Sequence, residues 1–254
     1  MNKITVNGIE LAYQRRGKGM PLVLIHGYPL DHSIWNDITP LLENDYDLIL
    51  PDLRGFGESA AIDSPYSISD IASDLAALLD SLGVEQTALA GHSMGGYVAL
   101  AFAKAFPDRV NGLALISSQA AADTPERKEG RYKTAADVAE NGVQIVADAM
   151  TDKLSPSQHV RDIVRPLIAK QSVSGVAGAL KAMAEREDLT SFIASFKLPL
   201  VLIHGNADGL IPVDRAREIK SLLTTAHLVE LAGAGHMPMM EMPKETAAAL
   251  KILK

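Results

Sequence analysis

Six short runs, apolar almost from end to end, recur along the 254-residue chain and are each bounded by turn-forming residues: Leu22–Ile25, Leu48–Leu50, Thr87–Ala90, Leu113–Ile116, Leu200–Ile203 and Leu228–Leu231. A strand with one wet face alternates in polarity, so runs without alternation predict strands buried on both faces. Longer stretches with helical spacing lie between several of them. Ile71, Leu75, Leu78, Leu79 and Leu82 share one face of the segment Ser69–Leu82, and Gly83 stops it. Such alternation predicts an α/β fold, with a mostly parallel sheet covered by helices on both faces. The first residues, Met1–Gly19, alternate around Asn7-Gly8 like a β-hairpin and hold no apolar segment ending in a small-residue cleavage site. The expected location is therefore cytoplasmic.

The rhythm lapses between Ser118 and Phe196. No strand-like run occurs there, and the alanine-rich segment reads as several helices with turns at Asn141-Gly142, Ser155-Pro156 and Ser174-Gly175. The expected organisation is a core formed by residues 1–117 and 197–254, with a helical lid, residues 118–196, inserted between two core strands on one edge of the sheet.

Composition narrows the chemistry. A net charge of −7 opposes binding to nucleic acid or to an anionic membrane surface, and the densest charged stretch, Pro125–Lys133, mixes both signs and reads as a solvated helix face. No apolar run approaches the roughly 18 to 20 residues that span a bilayer. With no cysteine, disulfides, thiol nucleophiles and cysteine-bound zinc are excluded. H-E-x-x-H is absent, as are a phosphate loop and a G-x-G-x-x-G after the first strand, so neither a metal nor another cofactor is expected.

The sharpest motif is Gly91-His92-Ser93-Met94-Gly95-Gly96, between the strand ending at Ala90 and the helical stretch Tyr97–Phe106. A nucleophile on a tight strand-to-helix turn needs neighbours without side chains, and the helix amino terminus brings N–H groups to developing negative charge. A serine hydroxyl also needs a base, and the base needs an orienting acid. His236, in Ala232-Gly233-Ala234-Gly235-His236-Met237-Pro238, follows the last strand-like run. Asp208, in His204-Gly205-Asn206-Ala207-Asp208, follows the strand Leu200–Ile203. All three fall at carboxyl ends of strands, where open parallel sheets gather their sites. Ile116-Ser117-Ser118-Gln119 offers no competing acid.

The order Ser93, Asp208, His236, together with His26-Gly27-Tyr28-Pro29 and Asp52-Leu53-Arg54-Gly55-Phe56-Gly57-Glu58-Ser59, closely resembles the α/β-hydrolase superfamily over nearly the whole chain, least in the lid. The resemblance implies a serine hydrolase, foremost a carboxylesterase of small or aromatic esters, similar also to perhydrolases and enol-lactone hydrolases. It places the oxyanion-binding N–H groups on Tyr28 and Met94. Serine at the nucleophile position argues against epoxide hydrolases and haloalkane dehalogenases, which need a carboxylate there. Tyr28, where many perhydrolase-like relatives carry tryptophan, weakens the perhydrolase reading. Leu30, Ile211 and Met237 are the expected substrate-lining residues. His26 and His92 are read as hydrogen-bonding loop supports, Asp52 and Arg54 as turn-shaping, and Glu241 as an acidic residue near a helix start. Met237, Met239, Met240 and Met242 are read chiefly as apolar packing. The expected partner is a small ester. Lactones, thioesters and carbon–carbon bonds flanked by carbonyls are alternatives for the same triad, and a ligand receptor that retains the triad is the reading from a different class.

Overall fold

The computed structural model describes all 254 residues. Its strands are β1 (Asn2–Val6), β2 (Ile9–Gly17), β3 (Met20–Ile25), β4 (Tyr46–Pro51), β5 (Thr87–His92), β6 (Val110–Ile116), β7 (Leu200–Gly205) and β8 (His227–Leu231). They form one eight-stranded sheet in the order β1-β2-β4-β3-β5-β6-β7-β8, antiparallel at β1-β2 and β2-β4 and parallel elsewhere. The hairpin turns at Asn7 and Gly8, both at positive φ, as the Asn-Gly pair predicts.

The helices are α1 (Thr39–Leu42), α2 (Ile68–Ser81), α3 (Met94–Ala105), α4 (Pro125–Asn141), α5 (Gln144–Leu154), α6 (Gln158–Ala169), α7 (Val173–Ala184), α8 (Thr190–Ala194), α9 (Asp214–Leu222), α10 (Pro238–Glu241) and α11 (Pro243–Leu250). The β3-α1-β4 connection moves toward the hairpin, whereas the connections through α2, α3 and α9 move the other way. With right-handed crossovers, α1 covers one face and α2, α3 and α9 the other. α11 packs against α1 and joins it. A sheet covered on both faces explains the uniform apolar strands, and β5 and β7 are buried at every residue.

β8 departs from that expectation: His227 and Glu230 are exposed, Leu228 and Val229 half-buried and only Leu231 buried, as befits an edge strand. The segment between β6 and β7 holds α4 to α8, as expected, but those two strands are neighbours one strand in from the edge. Ser174-Gly175 is not a turn. Ser172 caps α7 by accepting from Gly175 N–H, and Gly175 sits in the first helical turn, where a Cβ would lie 2.0 Å from the Gly55 carbonyl oxygen. The glycine there serves close packing against the core. One apolar core of 76 buried residues runs from the sheet into the insertion through Val138, Val146, Leu154, Val164 and Leu180.

Candidate active site

Ser93 occupies the single residue between β5 and α3, half-buried, at φ +50° and ψ −114°, a region that costs a non-glycine residue of order 1 to 3 kcal/mol. Close packing enforces the turn. A Cβ on Gly91 would lie 2.2 Å from the Gly95 carbonyl oxygen, and one on Gly95 would lie 2.2 Å from that of Ile25 in β3. Ser93 N–H donates to the Ile116 carbonyl (2.8 Å), and the Ser93 carbonyl accepts from Ser118 Oγ (2.8 Å), which fastens the turn to the end of β6.

The Asp208 side chain is fully buried on the loop after β7. One oxygen accepts from the N–H groups of Leu210 (2.8 Å) and Ile211 (3.0 Å), and the other accepts from His236 Nδ1 (2.7 Å). His204 Nε2 donates to the Ile211 carbonyl at 2.8 Å and lies 3.3 Å from the same Asp208 oxygen that meets His236. Burial alone would raise the Asp208 pKa, but the His236 charge, the two histidine hydrogen bonds and the Ile211 N–H outweigh it, and the carboxyl is held far below the usual range. Asp208 is therefore held as an anion near neutral pH.

His236 is fixed from several directions. Its N–H donates to the Leu154 carbonyl at the end of α5 (2.9 Å), and its carbonyl accepts from His92 Nε2 (2.8 Å). The N–H groups on either side, Gly235 and Met237, both donate to the Glu241 carboxylate, at 2.5 and 3.1 Å. The rings of His92 and His236 are 4.8 Å apart. Because His92 directly precedes Ser93, this contact brings the serine turn and the histidine loop together. Complete burial holds the His92 pKa well below its ordinary value, so His92 is neutral with its proton on Nε2.

Tyr28 follows Gly27, whose missing side chain lets the loop close on His92: a Cβ there would lie 2.5 Å from His92 Nδ1. The Tyr28 N–H makes no hydrogen bond, and Met94, as the first residue of α3, has no helical partner for its own. Both N–H groups are thus free, Met94 directly after Ser93 and Tyr28 on the loop that closes on His92.

A cavity of about 560 Å³ lies between the core loops and the insertion. Its apolar wall comes from Tyr28, Leu210, Ile145, Val146, Met150 and Leu180. Leu30 and Met237 are instead fully buried in packing, and Ile211 spends both backbone polar groups on Asp208 and His204, so none of these three borders that cavity.

His26 and His92 support loops as expected, His26 by accepting from Leu53 N–H at 2.9 Å. Asp52 shapes its turn by accepting from Glu58 N–H and from His32, both N–H and ring, but it does not pair with Arg54, which bonds Asp74 at 2.6 Å. Folding gathers Asp31, His32 and Asp52 within 4.8 Å of one another. Their oxygens are already taken up by Ser33, Lys170, His32 and Glu58. Glu241 ends the four-residue α10 rather than opening a helix, and braces the His236 loop. His204, Glu241 and Ser118 thus join the site without having been singled out for it. The only signal for Glu241 is an acid five residues past a histidine that follows a glycine.

Residues 20–243 match the family model for the alpha/beta hydrolase fold, and the chain belongs to that family. It is a hydrolase. The solved structure of a thermophilic esterase from Thermogutta terrifontis, with malate bound, superposes with a TM-score of 0.95 at 34% identity, covering 99% of this chain and 97% of that one. The enol-lactonase from Burkholderia xenovorans LB400 gives a TM-score of 0.91 at 26% identity, covering 99% of both. The dihydrolipoyllysine-residue acetyltransferase component of the acetoin cleaving system from Pseudomonas putida is 32% identical over 231 residues, 88% of this chain and 60% of that protein. No helix is long and apolar enough to cross a membrane.

Proposed function

We propose that this hydrolase cleaves carboxylic esters of small, dissolved substrates through an acyl-enzyme on Ser93. The observation that carries the reading is the Ser93 turn at positive φ, joined through His92 to a His236 already bonded to a buried Asp208 anion. Ser93 Oγ attacks the ester carbonyl while His236 Nε2 takes its proton. The same proton then passes to the leaving alcohol. Asp208, accepting from Nδ1–H, fixes the tautomer that leaves Nε2 free and stabilises the imidazolium that forms. The free N–H groups of Tyr28 and Met94 take the oxyanion, about 3 to 4 kcal/mol per donor in comparable sites. Water, activated by His236, then releases the acid. Helices α4 to α8 act as the lid, and the cytoplasm is the compartment in which we place this chemistry.

A second reading, lactone hydrolysis, is favoured by the likeness to an enol-lactonase. The attack is the same, and the leaving alkoxide stays tethered to the acyl group. A panel of p-nitrophenyl esters, lactones and thioesters separates the two. Ser93→Ala and His236→Ala should each abolish turnover, with the double variant little worse, because triad members act as a unit. A single variant that keeps more than about a tenth of kcat, a loss below roughly 1.4 kcal/mol, would remove that residue from the mechanism. Asp208→Asn should fold and lose about 10⁴-fold in kcat, since asparagine holds the wrong tautomer.

A further inference from the structure

The cavity beside Tyr28 carries charge that its apolar wall does not explain. Arg127 in the first turn of α4 and Lys153 in the last turn of α5 both border it, and neither has a carboxylate within ion-pairing distance. Arg127 reaches toward the acid loop, its guanidinium 3.5 Å from the Leu210 carbonyl. The single acid on the wall, Asp137, is half-buried and likewise unpaired. Arg131, a fourth charged wall residue, is bonded to Asp123, but that same carboxylate also holds Arg186 at 2.9 Å, so one anion serves two guanidiniums. Cations therefore outnumber acids by two around this cavity, in a chain whose net charge is −7. Two of its core walls, Tyr28 and Leu210, belong to the loops that carry the oxyanion N–H and the acid Asp208.

Resting on the esterase reading, we propose that the cavity selects esters whose acyl chain ends in a carboxylate, the half-esters of short dicarboxylic acids, with Arg127 and Lys153 meeting the free carboxylate. The apolar wall takes the intervening methylenes. An exposed cation pair contributes through long-range attraction as well as contact, so the preference weakens as salt screens it. Hydrolysis of such a half-ester consumes water and releases the alcohol and the dicarboxylate, whose second charge keeps the product soluble.

The test compares monomethyl glutarate with its neutral isostere methyl 5-methylhexanoate, in which an isopropyl group replaces the carboxylate, by methanol release at low ionic strength. The expected kcat/KM ratio favours the half-ester by about tenfold, the value for two modest ion pairs. It should fall toward unity in Arg127→Gln/Lys153→Gln and at roughly 0.3 M salt, and rise in Asp137→Asn, which removes the opposing charge. A ratio near unity that neither variant moves overturns the proposal. If neither ester is hydrolysed, the esterase reading fails. Calorimetric titration of Ser93→Ala protein with monomethyl glutarate then decides the carboxylate site alone: saturable binding that the double glutamine variant loses supports it, and no binding refutes it.

Discussion

Ser93 lies where backbone strain and a helix amino terminus coincide, and His236 is held by its backbone on both sides. The second arrangement has a consequence. The Gly235 and Met237 N–H groups converge on one carboxylate, Glu241, so the direction of the His236 backbone depends on an acceptor with two equivalent oxygens. Glu241→Gln keeps the size but presents an NH₂ to one of two donors. The expected result is a fall in kcat of about tenfold or more, near 1.4 kcal/mol, with KM nearly unchanged, because a misdirected imidazole impairs proton transfer and not binding. Steady-state kinetics checks this, with Glu241→Asp regaining part of the rate. Equal losses in stability and in kcat/KM for both variants would make Glu241 a structural residue only.

At the scale of elements, the insertion is tied to the core by charge as well as by apolar packing. Asp123, its side chain fully buried just before α4, accepts from Arg131 and Arg186, and the Arg186 guanidinium lies 4.2 Å from the Tyr97 ring centre on α3, the helix that Ser93 starts. Removing the shared anion leaves two guanidiniums without compensation, one of them almost wholly buried. Asp123→Asn should therefore cost about 3 to 5 kcal/mol, whereas an apolar replacement of both Asp123 and Arg186 should cost less. Calorimetric melting of the two variants orders them, and the reverse order would mean that the network is not a compensated buried set.

The same elements explain what the chain disclosed before folding. Strands buried on both faces are uniform in composition, and glycines at close approaches, such as Gly27, Gly91 and Gly95, are forced by geometry, so the sheet, the serine turn and the loops bearing Asp208 and His236 were legible. Edge strand β8 and the first turn of α7 were not. The incomplete burial of β8 depends on where the sheet ends, and Ser174-Gly175 looks like a turn until Gly55 packs against it. Helical spacing identifies a face without naming its partner. For that reason neither the share of α4 and α5 in the cavity wall nor the convergence of His204 and Glu241 on the acid and histidine loops shows in the sequence pattern.

The whole molecule carries a pH response that follows from its buried histidines. His26 and His92 are fully enclosed, and burial is the foremost cause lowering both pKa values from an ordinary 6.5. Each therefore keeps its neutral form to a lower pH in the folded protein than in the unfolded chain. A folded pKa lower than the unfolded one gives stability that is complete above 6.5 and declines as pH falls. His32 has the opposite sign. Burial would lower its pKa, but the Asp52 carboxylate bonded to its ring raises it, so its contribution is complete below 6.5 and fades as pH rises. The two tendencies place the stability maximum near neutrality. Below 6.5, two histidines cost up to roughly 2.7 kcal/mol per pH unit, which for a chain of this size lowers Tm by about 5 to 10 °C per unit. A second decline follows below the ordinary carboxyl value of 3.8, where Asp31, Asp123 and Asp208, all held lower in the folded protein, begin to be protonated in the unfolded chain. Urea midpoints measured from pH 7.5 to 5 should report uptake of about two protons on unfolding, reduced by about one in His92→Gln. A midpoint that stays flat to pH 5 would show that both rings accept protons while folded, and that the contact from His92 to the His236 carbonyl tolerates a charge.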